Sequence, residues 1–536
     1  MAINSYYSIA YLAIFLPAVV IAYTVLPKKV RWLVLLIFSG IFFWSMSGKL
    51  LLWLVISIFS IHYGGIYLTL LQKERDGKIA RARTLKDGPS KKEIKKQYQK
   101  KQLTVAASVA LFNVGILVVL KYAPFLGGNL NRLLAWMKVP FSLSVPSFVV
   151  PIGISFYTLQ AVAYIMDIYR EKFPAEQNIF RLALYMSFFP QLMEGPICRY
   201  PQTSGALWQG DRIRFENLTA GIQRIAFGMM KKLVIADRLN LFIKNVFSDY
   251  LQYDGGITAL AMILYTCQLY MDFSGTMDIV IGTGQIFGVT LPENFRQPFF
   301  SKSISEFWQR WHITLGTWFK DYIFYPLSMT GPMKKLTSKG RKHLGNHYGP
   351  LLAGGVSLFC VWLLNGLWHG AGWNYIFFGM YHFVLILAGS LWEPAAEKIC
   401  RVLHIRRKSV PWKGIQILRT AALVCVGELF FRAHGLKAGL YMFFNMIQNF
   451  TLSAFKDGTV FTIGMDKKDF IVVFAGVMIV LINSIMKEKG CMPRKWLASC
   501  PLPLRWTICY GLILFAVVFG AYGIGYVPLD PIYANF

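Results

Sequence analysis

The chain has 536 residues, of which 55% are hydrophobic and 15% are charged, and its mean hydropathy is +0.46. A water-soluble protein of this length could not bury so much apolar surface, so these values exclude a soluble enzyme. The formal net charge of +30 is concentrated in short loops between apolar runs. This distribution follows the positive-inside rule of membrane proteins and excludes a nucleic-acid-binding role.

Apolar windows near the ~20 residues that cross a bilayer recur along the chain, which predicts an all-α, polytopic membrane protein. The first window, about Tyr6 to Leu26, lacks the basic start and the small-residue cleavage site of a signal peptide, so we predict a retained span. Its N-terminal flank is uncharged and its other end meets PKKVR. This charge difference places the N-terminus outside the cytoplasm. Further spans are predicted at about residues 32–44 and 50–71.

The strongest cytoplasmic marker is the segment 72–102, which carries twelve Lys or Arg and four Asp or Glu. We predict a basic cytoplasmic loop here. Part of it, SKKEIKKQYQKK, should form a helix on the inner leaflet, where its lysines attract anionic lipid headgroups. The next span covers about residues 103–122, and PIGISFYTLQ starts a segment that re-enters the membrane.

The region of about residues 180–245 differs from the clean spans, because prolines and charges interrupt its apolar runs. We predict short, tilted or re-entrant helices there. Two later apolar runs lie between basic stretches at 334–342 and 401–413, and we expect a helical pair with His369 at or near its turn. Four more runs are predicted at residues 257–270, 415–431, 470–486 and 506–522.

No internal repeat is visible in the sequence, and we predict a single membrane domain over residues 1–536. The last span runs outward from a basic loop. Residues 524–536 should therefore form an extracytoplasmic tail.

Two carboxylates, Asp272 and Asp278, lie in the otherwise apolar stretch MDFSGTMDIVIGTGQIFG. Charges inside a membrane are costly unless they are paired or face water, so both are candidates for the lining of a substrate path. The alternative is that they cap helix ends or pair with an arginine such as Arg296 or Arg310.

Two histidines occupy apolar, tryptophan-rich stretches: His312 in SEFWQRWHITLGTWF and His369 in WLLNGLWHGAGWNYIFF. A neutral imidazole can take a proton from a hydroxyl group, and burial favours the neutral form. The alternative for each is a core histidine with a satisfied hydrogen bond, but two in similar settings favour a catalytic role. A zinc site would need three or four ligands. The sequence has neither an HExxH motif nor a Cys/His cluster, so we predict no metal and no tightly bound cofactor.

Five stretches together resemble the membrane-bound O-acyltransferase family: PIGISFYTLQAVAYIMDIYR, DFSGTMDIVIGTGQIFG, ENFRQPF, SISEFWQRWHITLGTWFKDYIF and GLWHGAGWNYIFFGMYH. Within the family they look most like the membrane subunit of alginate O-acetyltransferases, and more distantly like that of teichoic acid D-alanyltransferases. The resemblance covers most of the chain. It implies a ring of helices around a central funnel or tunnel.

The resemblance also implies a reaction, the transfer of an acyl group from a cytoplasmic thioester to an acceptor on the outer side. It implies that His369 is the catalytic histidine and that His312 is the second family histidine. The candidates for the tunnel lining are Asn365, Trp311, Arg310, Trp368, Asp272 and Asp278.

The chain ends in DPIYANF, which is similar to the aromatic tail of bacterial relatives that pass acyl groups outward. We hypothesise that Tyr533 accepts the acyl group as an ester, and the alternative is an interfacial anchor. The segment PLSMTGPMKKLTSKGRK lacks the Gly-Gly-Asn-Arg-like turn of alginate relatives. This departure argues against alginate as the product.

The expected function is transfer of acetyl from acetyl-CoA towards a polysaccharide on the surface of a bacterium. The enzyme would act at the cytoplasmic membrane, with an extracytoplasmic SGNH-hydrolase-like partner. The alternative within the family is D-alanyl transfer from the phosphopantetheine thioester of a carrier protein to teichoic acid. Outside the family, a proton-coupled transporter would use His and Asp in a relay, although inverted repeats are not visible. A structural subunit of an export complex is a further alternative.

Overall fold

The computed structural model describes residues 5–83 and 90–522, and every regular element in these two ranges is a helix. Tyr533 and the predicted tail of residues 524–536 lie outside the described residues.

Eight helical stretches in the described ranges are long and apolar enough to cross a membrane. They are Lys28–Ala82, Lys91–Trp136, Gly255–Ile286, Gly331–His369, Trp373–Val402, Val410–Arg432, Lys467–Glu488 and Leu502–Phe519. A shorter apolar helix covers Ala10–Val25. The prediction of an all-α, multi-pass membrane protein is confirmed, and the orientation of the termini stays a prediction.

The chain divides into two compact units, residues 1–221 with 283–292 and residues 222–282 with 293–536. Both units are built from helices. The single domain over residues 1–536 and the central funnel stay predictions.

The first unit contains long helices followed by short ones. These are Leu16–Val25, Arg31–Ser47, Leu51–Ala82, Lys91–Leu117, Ala123–Trp136, Ile154–Tyr169, Ile179–Ser187, Phe189–Leu192 and Tyr200–Gln209. Its core includes Tyr6, whose ring stacks on Phe42 at 5.4 Å between centroids. The hydroxyl of Tyr6 donates to the carbonyl oxygen of Phe189 at 2.8 Å. The phenol is thus satisfied inside an apolar core.

The segment that we predict as a basic loop is helical over most of its described length. Helices Leu51–Ala82 and Lys91–Leu117 extend beyond their apolar spans. A small buried cluster joins these ends: Leu71, Ile79, Ile94 and Tyr98. The basic residues from Lys91 onward continue the helix of a span, which confirms the helix predicted in SKKEIKKQYQKK, and its position on the inner leaflet stays a prediction. The burial of Ile94 and Tyr98 on the neighbouring helix explains this geometry.

The second unit contains the helices that carry both candidate histidines. After the π-helical turn Lys231–Ala236, the elements that lie wholly in this unit are, in chain order, Asp237–Ser248, Pro298–Phe300 (3-10), Ile304–Arg310, Ile313–Phe319, Lys320–Phe324 (π-helical), Tyr325–Ser328, Gly331–His369, Trp373–Val402, Val410–Arg432, Leu436–Gln448, Ser453–Lys456, Thr459–Thr462 (3-10), Lys467–Glu488, Pro493–Ser499 and Leu502–Phe519. Phe215–Met230 and Gly255–Ile286 each contribute residues to both units. The region of residues 180–209 is broken into short helices, as predicted, whereas Phe215–Met230, Lys231–Ala236 and Asp237–Ser248 follow one another without a break.

The helical pair expected around His369 is present, and its two helices meet at close range. Gly331–His369 ends at the histidine, and Trp373–Val402 starts after a short turn. A Cβ atom on Gly379 would lie 2.3 Å from the carbonyl oxygen of Trp362. Only glycine permits this backbone approach, which fixes the position of the turn that carries His369.

Candidate active site

His369 lies at the C-terminal end of a spanning helix, and aromatic rings surround it. The residue is 5% exposed. The centroid of its ring lies 5.0 Å from that of Trp368, 5.9 Å from Phe378 and 5.1 Å from Phe431. The imidazole therefore sits in an apolar setting that would exclude water from a reacting group.

His312 lies at the elbow between the short helices Ile304–Arg310 and Ile313–Phe319. Its φ of +45° is in the left-handed region, which a residue with a side chain adopts at an energetic cost and which is common at functional sites. Its ring lies 4.8 Å from Phe273 and 5.7 Å from Trp368. The ring of Trp368 thus contacts both histidines that the sequence singles out.

The proton state of His312 follows from its burial. The residue is 2% exposed and lies in the connection between two spanning helices. Burial lowers the pKa of His312 to about 3, because the charged form loses its hydration. The ring is therefore neutral near pH 7.

Asn294 is a site residue that the sequence analysis missed. Its side-chain oxygen lies 3.0 Å from both the backbone nitrogen and the hydroxyl of Thr314, and 3.3 Å from Nδ1 of His312. The backbone carbonyl oxygen of Asn294 accepts a hydrogen bond from the backbone N–H of Ile313 at 3.0 Å. Asn294 belongs to the ENFRQPF stretch, but a single asparagine in a loop gives no sign of the ring that it contacts.

Asn365 lies one helical turn before His369 and is buried. Its side-chain oxygen has no hydrogen-bond partner within residues 5–83 and 90–522. Residues four apart share one face of a helix. Asn365 and His369 therefore lie on the same face of this helix, and the lining role of Asn365 stays a prediction.

A third buried histidine, His382, was also missed. Its Nδ1 atom accepts a hydrogen bond from the indole N–H of Trp308 at 3.2 Å. The ring of Phe378 packs on His369 at 5.9 Å and on His382 at 4.8 Å. A histidine in the apolar stretch GMYHF was the signal that could have found it.

The two candidate carboxylates of Gly255–Ile286 are held in ion pairs. Asp272 lies 2.7 Å from the ammonium of Lys232, and Asp278 lies 2.6 Å from Lys231 and 2.9 Å from Arg224. Pairing was the alternative interpretation, and the structure shows it. The named partners, Arg296 and Arg310, were wrong, because the packing of the helices brings residues 224–232 to this face.

Arg310 and Trp311, two further lining candidates, have partners of their own. Arg310 pairs with Glu306 and with Glu488, at 2.8 Å in each case. The ring of Trp311 stacks on Phe307 at 5.4 Å. These contacts fix the backbone that leads into His312, and the lining role of both residues stays a prediction.

A metal site would need several ligand side chains close together. Within the part of the chain that the structure describes, no group of three His, Cys, Asp or Glu residues could hold a metal ion. The described candidate site instead offers imidazole, amide and aromatic groups.

This region is similar in sequence to known proteins. The model of the membrane-bound O-acyltransferase family matches residues 171–421. The chain is 35% identical over 324 residues to the probable alginate O-acetylase of Pseudomonas syringae, which covers 60% of this chain and 56% of that protein. It is 32% identical over 450 residues to the probable alginate O-acetylase of Azotobacter vinelandii, covering 83% and 78%. It is 31% identical over 287 residues to the teichoic acid D-alanyltransferase of Bacillus subtilis, covering 52% and 68%.

Proposed function

The chain belongs to the membrane-bound O-acyltransferase family and is a membrane acyltransferase, and we propose that it moves acetyl from cytoplasmic acetyl-CoA towards a hydroxyl-bearing polysaccharide of the cell surface. The observation that carries this proposal is the burial of His369 among aromatic rings at the end of a spanning helix. Acetyl is favoured over other acyl groups because two of the similar proteins are named alginate O-acetylases.

The chemistry needs one group that takes a proton. His369 accepts the proton of the attacking hydroxyl while the oxygen attacks the carbonyl carbon of the thioester. A C–O bond forms and the C–S bond breaks. The proton then passes from His369 to the departing thiolate, so that the products are an ester and a free thiol and no net proton is released.

Asn365 supplies a polar group beside this base. Negative charge develops on the carbonyl oxygen as the tetrahedral intermediate forms, and a preorganised N–H donor stabilises it. The side-chain amide of Asn365 has such N–H groups and lies one turn from His369. We assign it the stabilisation of this oxyanion.

A second candidate function is D-alanyl transfer from the thioester of a carrier protein to teichoic acid. The similarity to the teichoic acid D-alanyltransferase of Bacillus subtilis favours it. Both candidates use the same base and the same thioester chemistry. They differ in the acyl group and in the protein or coenzyme that delivers it.

We further propose that the protein acts in a bacterial cytoplasmic membrane and that both of its termini lie on the outer side. An SGNH-hydrolase-like protein would receive the acyl group there and complete the transfer. Tyr533 would carry the acyl group between the two proteins as an ester. Its role stays a prediction, since it lies outside the described residues.

The proposal is tested by the esters on the surface of cells that carry the wild type, His369→Ala or the matched control His343→Ala. His343 is an exposed histidine that directly follows the basic stretch of residues 334–342. Mild base releases acetate or D-alanine, and each is quantified at equal protein levels. We expect His369→Ala to remove the acetate and His343→Ala to preserve it. Unchanged acetate in His369→Ala would contradict the proposal, and loss of D-alanine alone would favour the second candidate.

A further inference from the structure

The contact between Asn294 and His312 defines which side-chain atom of the asparagine faces the ring. The backbone N–H of Thr314 can only donate, and it points to the Oδ1 atom at 3.0 Å. The amide nitrogen of Asn294 lies on the other side, 3.4 Å from the sulfur of Met277. The atom that faces Nδ1 of His312 at 3.3 Å is therefore the amide oxygen.

An amide oxygen accepts hydrogen bonds and cannot donate them. The contact is attractive only if Nδ1 of His312 carries a proton. In a neutral imidazole the other nitrogen then bears the lone pair. Asn294 thus selects the tautomer of His312 in which Nε2 is an acceptor.

The surroundings of His312 preserve this neutral tautomer. Asn294 is 0% exposed, so water does not compete for its oxygen. The contacts described for the ring, with Asn294, Phe273 and Trp368, are all with uncharged side chains. Burial lowers the pKa of His312 to about 3, which keeps the ring neutral across the physiological range.

His312 lies near the predicted cytoplasmic side of the protein, from which the thioester donor arrives. Arg310, two residues earlier, pairs with Glu488 at the last turn of Lys467–Glu488. This turn adjoins Lys487 and Lys489, whose charges place it on the cytoplasmic side. The donor arrives from that side, and CoA and carrier proteins share a pantetheine arm with an amide N–H close to the sulfur.

We propose that Asn294 is a positioning residue that keeps a proton on Nδ1 of His312 and so presents Nε2 as a hydrogen-bond acceptor for the pantetheine amide of the donor. The inference rests on the proposed function and deepens it. His369 takes the proton of the hydroxyl, whereas His312 holds the thioester in place and does not change its protonation state.

Two small donors test this assignment in purified protein in lipid nanodiscs. S-acetyl-N-acetylcysteamine contains the amide N–H, and S-ethyl thioacetate lacks it. The measured quantity is the ratio of kcat/KM for the two donors. This ratio is independent of the folded fraction of a variant, so partial misfolding does not obscure the result.

We expect the wild type to prefer the donor with the amide. The preference should fall by about 2- to 12-fold in Asn294→Leu and in His312→Leu, which is the range of one net hydrogen bond. Asn294→Asp keeps an accepting oxygen and should retain the wild-type ratio near pH 8. Asn445→Leu replaces a buried asparagine on another helix, Leu436–Gln448, and should also retain it.

Either of two results would overturn the inference: an unchanged ratio in Asn294→Leu, or the same fall in Asn294→Asp as in Asn294→Leu. If the variants give either result while the wild type transfers acetyl from acetyl-CoA, the inference fails and the proposed function stands. A wild-type protein that consumes no thioester at all would instead contradict the proposed function.

Discussion

The two histidines of the candidate site differ in the contacts that hold their rings in place. His312 contacts an amide and two aromatic rings, and its backbone is in the left-handed region. His369 is surrounded by the rings of Trp368, Phe378 and Phe431. A hydrogen bond fixes the tautomer of His312, whereas the described packing of His369 is aromatic. This difference suits His312 for binding and His369 for proton transfer.

The amide of Asn365 gives the first prediction at this scale. Asn365→Ala should lower kcat by about 10²–10³-fold, because one oxyanion donor contributes this much in related chemistry. KM for acetyl-CoA should change little, because the interaction strengthens only in the transition state. Steady-state kinetics on purified protein checks both values. A rise in KM with an unchanged kcat would assign Asn365 to binding instead.

The second residue-scale prediction concerns pH. The pKa of His312 is about 3, so His312 should impose no loss of activity as the pH falls from 8 to 5. In Asn294→Asp a carboxylate beside the ring favours the protonated form and raises the pKa of His312. The protonated ring cannot accept a hydrogen bond.

This variant should therefore lose activity as the pH falls through the raised pKa of His312, whereas the wild type should not. The pH profile of kcat/KM for S-acetyl-N-acetylcysteamine measures the difference. Superimposable profiles for the two proteins would show that the carboxylate does not reach the ring.

Contacts between pairs of helices determine the positions of these residues. The turn that carries His369 depends on the close crossing of Gly331–His369 and Trp373–Val402. Gly379→Ala would place a Cβ atom 2.3 Å from the carbonyl oxygen of Trp362. Overpacking of this kind costs about 1–3 kcal/mol, so the variant should unfold at a lower temperature and lose activity.

Gly389→Ala is the matched control on the same helix. No atom lies within 4 Å of a Cβ built at this position. Alanine has a higher helix propensity than glycine, so this variant should be as stable as the wild type or more stable. Thermal unfolding in detergent compares the two. Equal stability of Gly379→Ala and Gly389→Ala would contradict the close crossing.

The ion pairs of Gly255–Ile286 give a second prediction about contacts between helices, which concerns stability. Lys232 is buried and contacts Asp272 at 2.7 Å and Asp237 at 2.9 Å. Asp272→Asn leaves a buried charge with one anionic partner. Because breaking a buried pair costs about 3–5 kcal/mol and Asp237 remains, we expect a loss near the low end.

Glu293→Gln removes a carboxylate whose side chain is 59% exposed and should cost at most about 1 kcal/mol. Differential scanning fluorimetry on both variants checks the order. A larger loss of stability in Glu293→Gln than in Asp272→Asn would contradict the structural role of the buried pair.

Elements also show what the sequence can predict. The spans expected at residues 415–431, 470–486 and 506–522 match Val410–Arg432, Lys467–Glu488 and Leu502–Phe519, because an apolar window is a local property. The partners of Asp272 and His312 could not be predicted, because each contact joins residues far apart in sequence. A helix was predicted for SKKEIKKQYQKK in the basic segment of residues 72–102 and is present. The burial of Ile94 and Tyr98 could not be predicted, because it needs a neighbouring helix.

For the whole molecule, composition alone established the membrane class, and the stretches around His312 and His369 established the resemblance to the family. Both conclusions agree with the spanning helices and with the matched family. The acyl group cannot be derived in this way. Acetyl-CoA and a carrier protein both present a pantetheine thioester, and the side chains at the candidate site are suited to either.

The most direct test of the account is acyl transfer by purified protein in nanodiscs, with radiolabelled acetyl-CoA, the SGNH-hydrolase-like partner and a soluble oligosaccharide acceptor. The wild type should form a base-labile acetyl ester. His369→Ala should reduce the rate by about 10²–10⁴-fold, the usual contribution of a general base, while His343→Ala should leave it unchanged. Equal rates in the wild type and His369→Ala would contradict the assignment of His369 as the catalytic base.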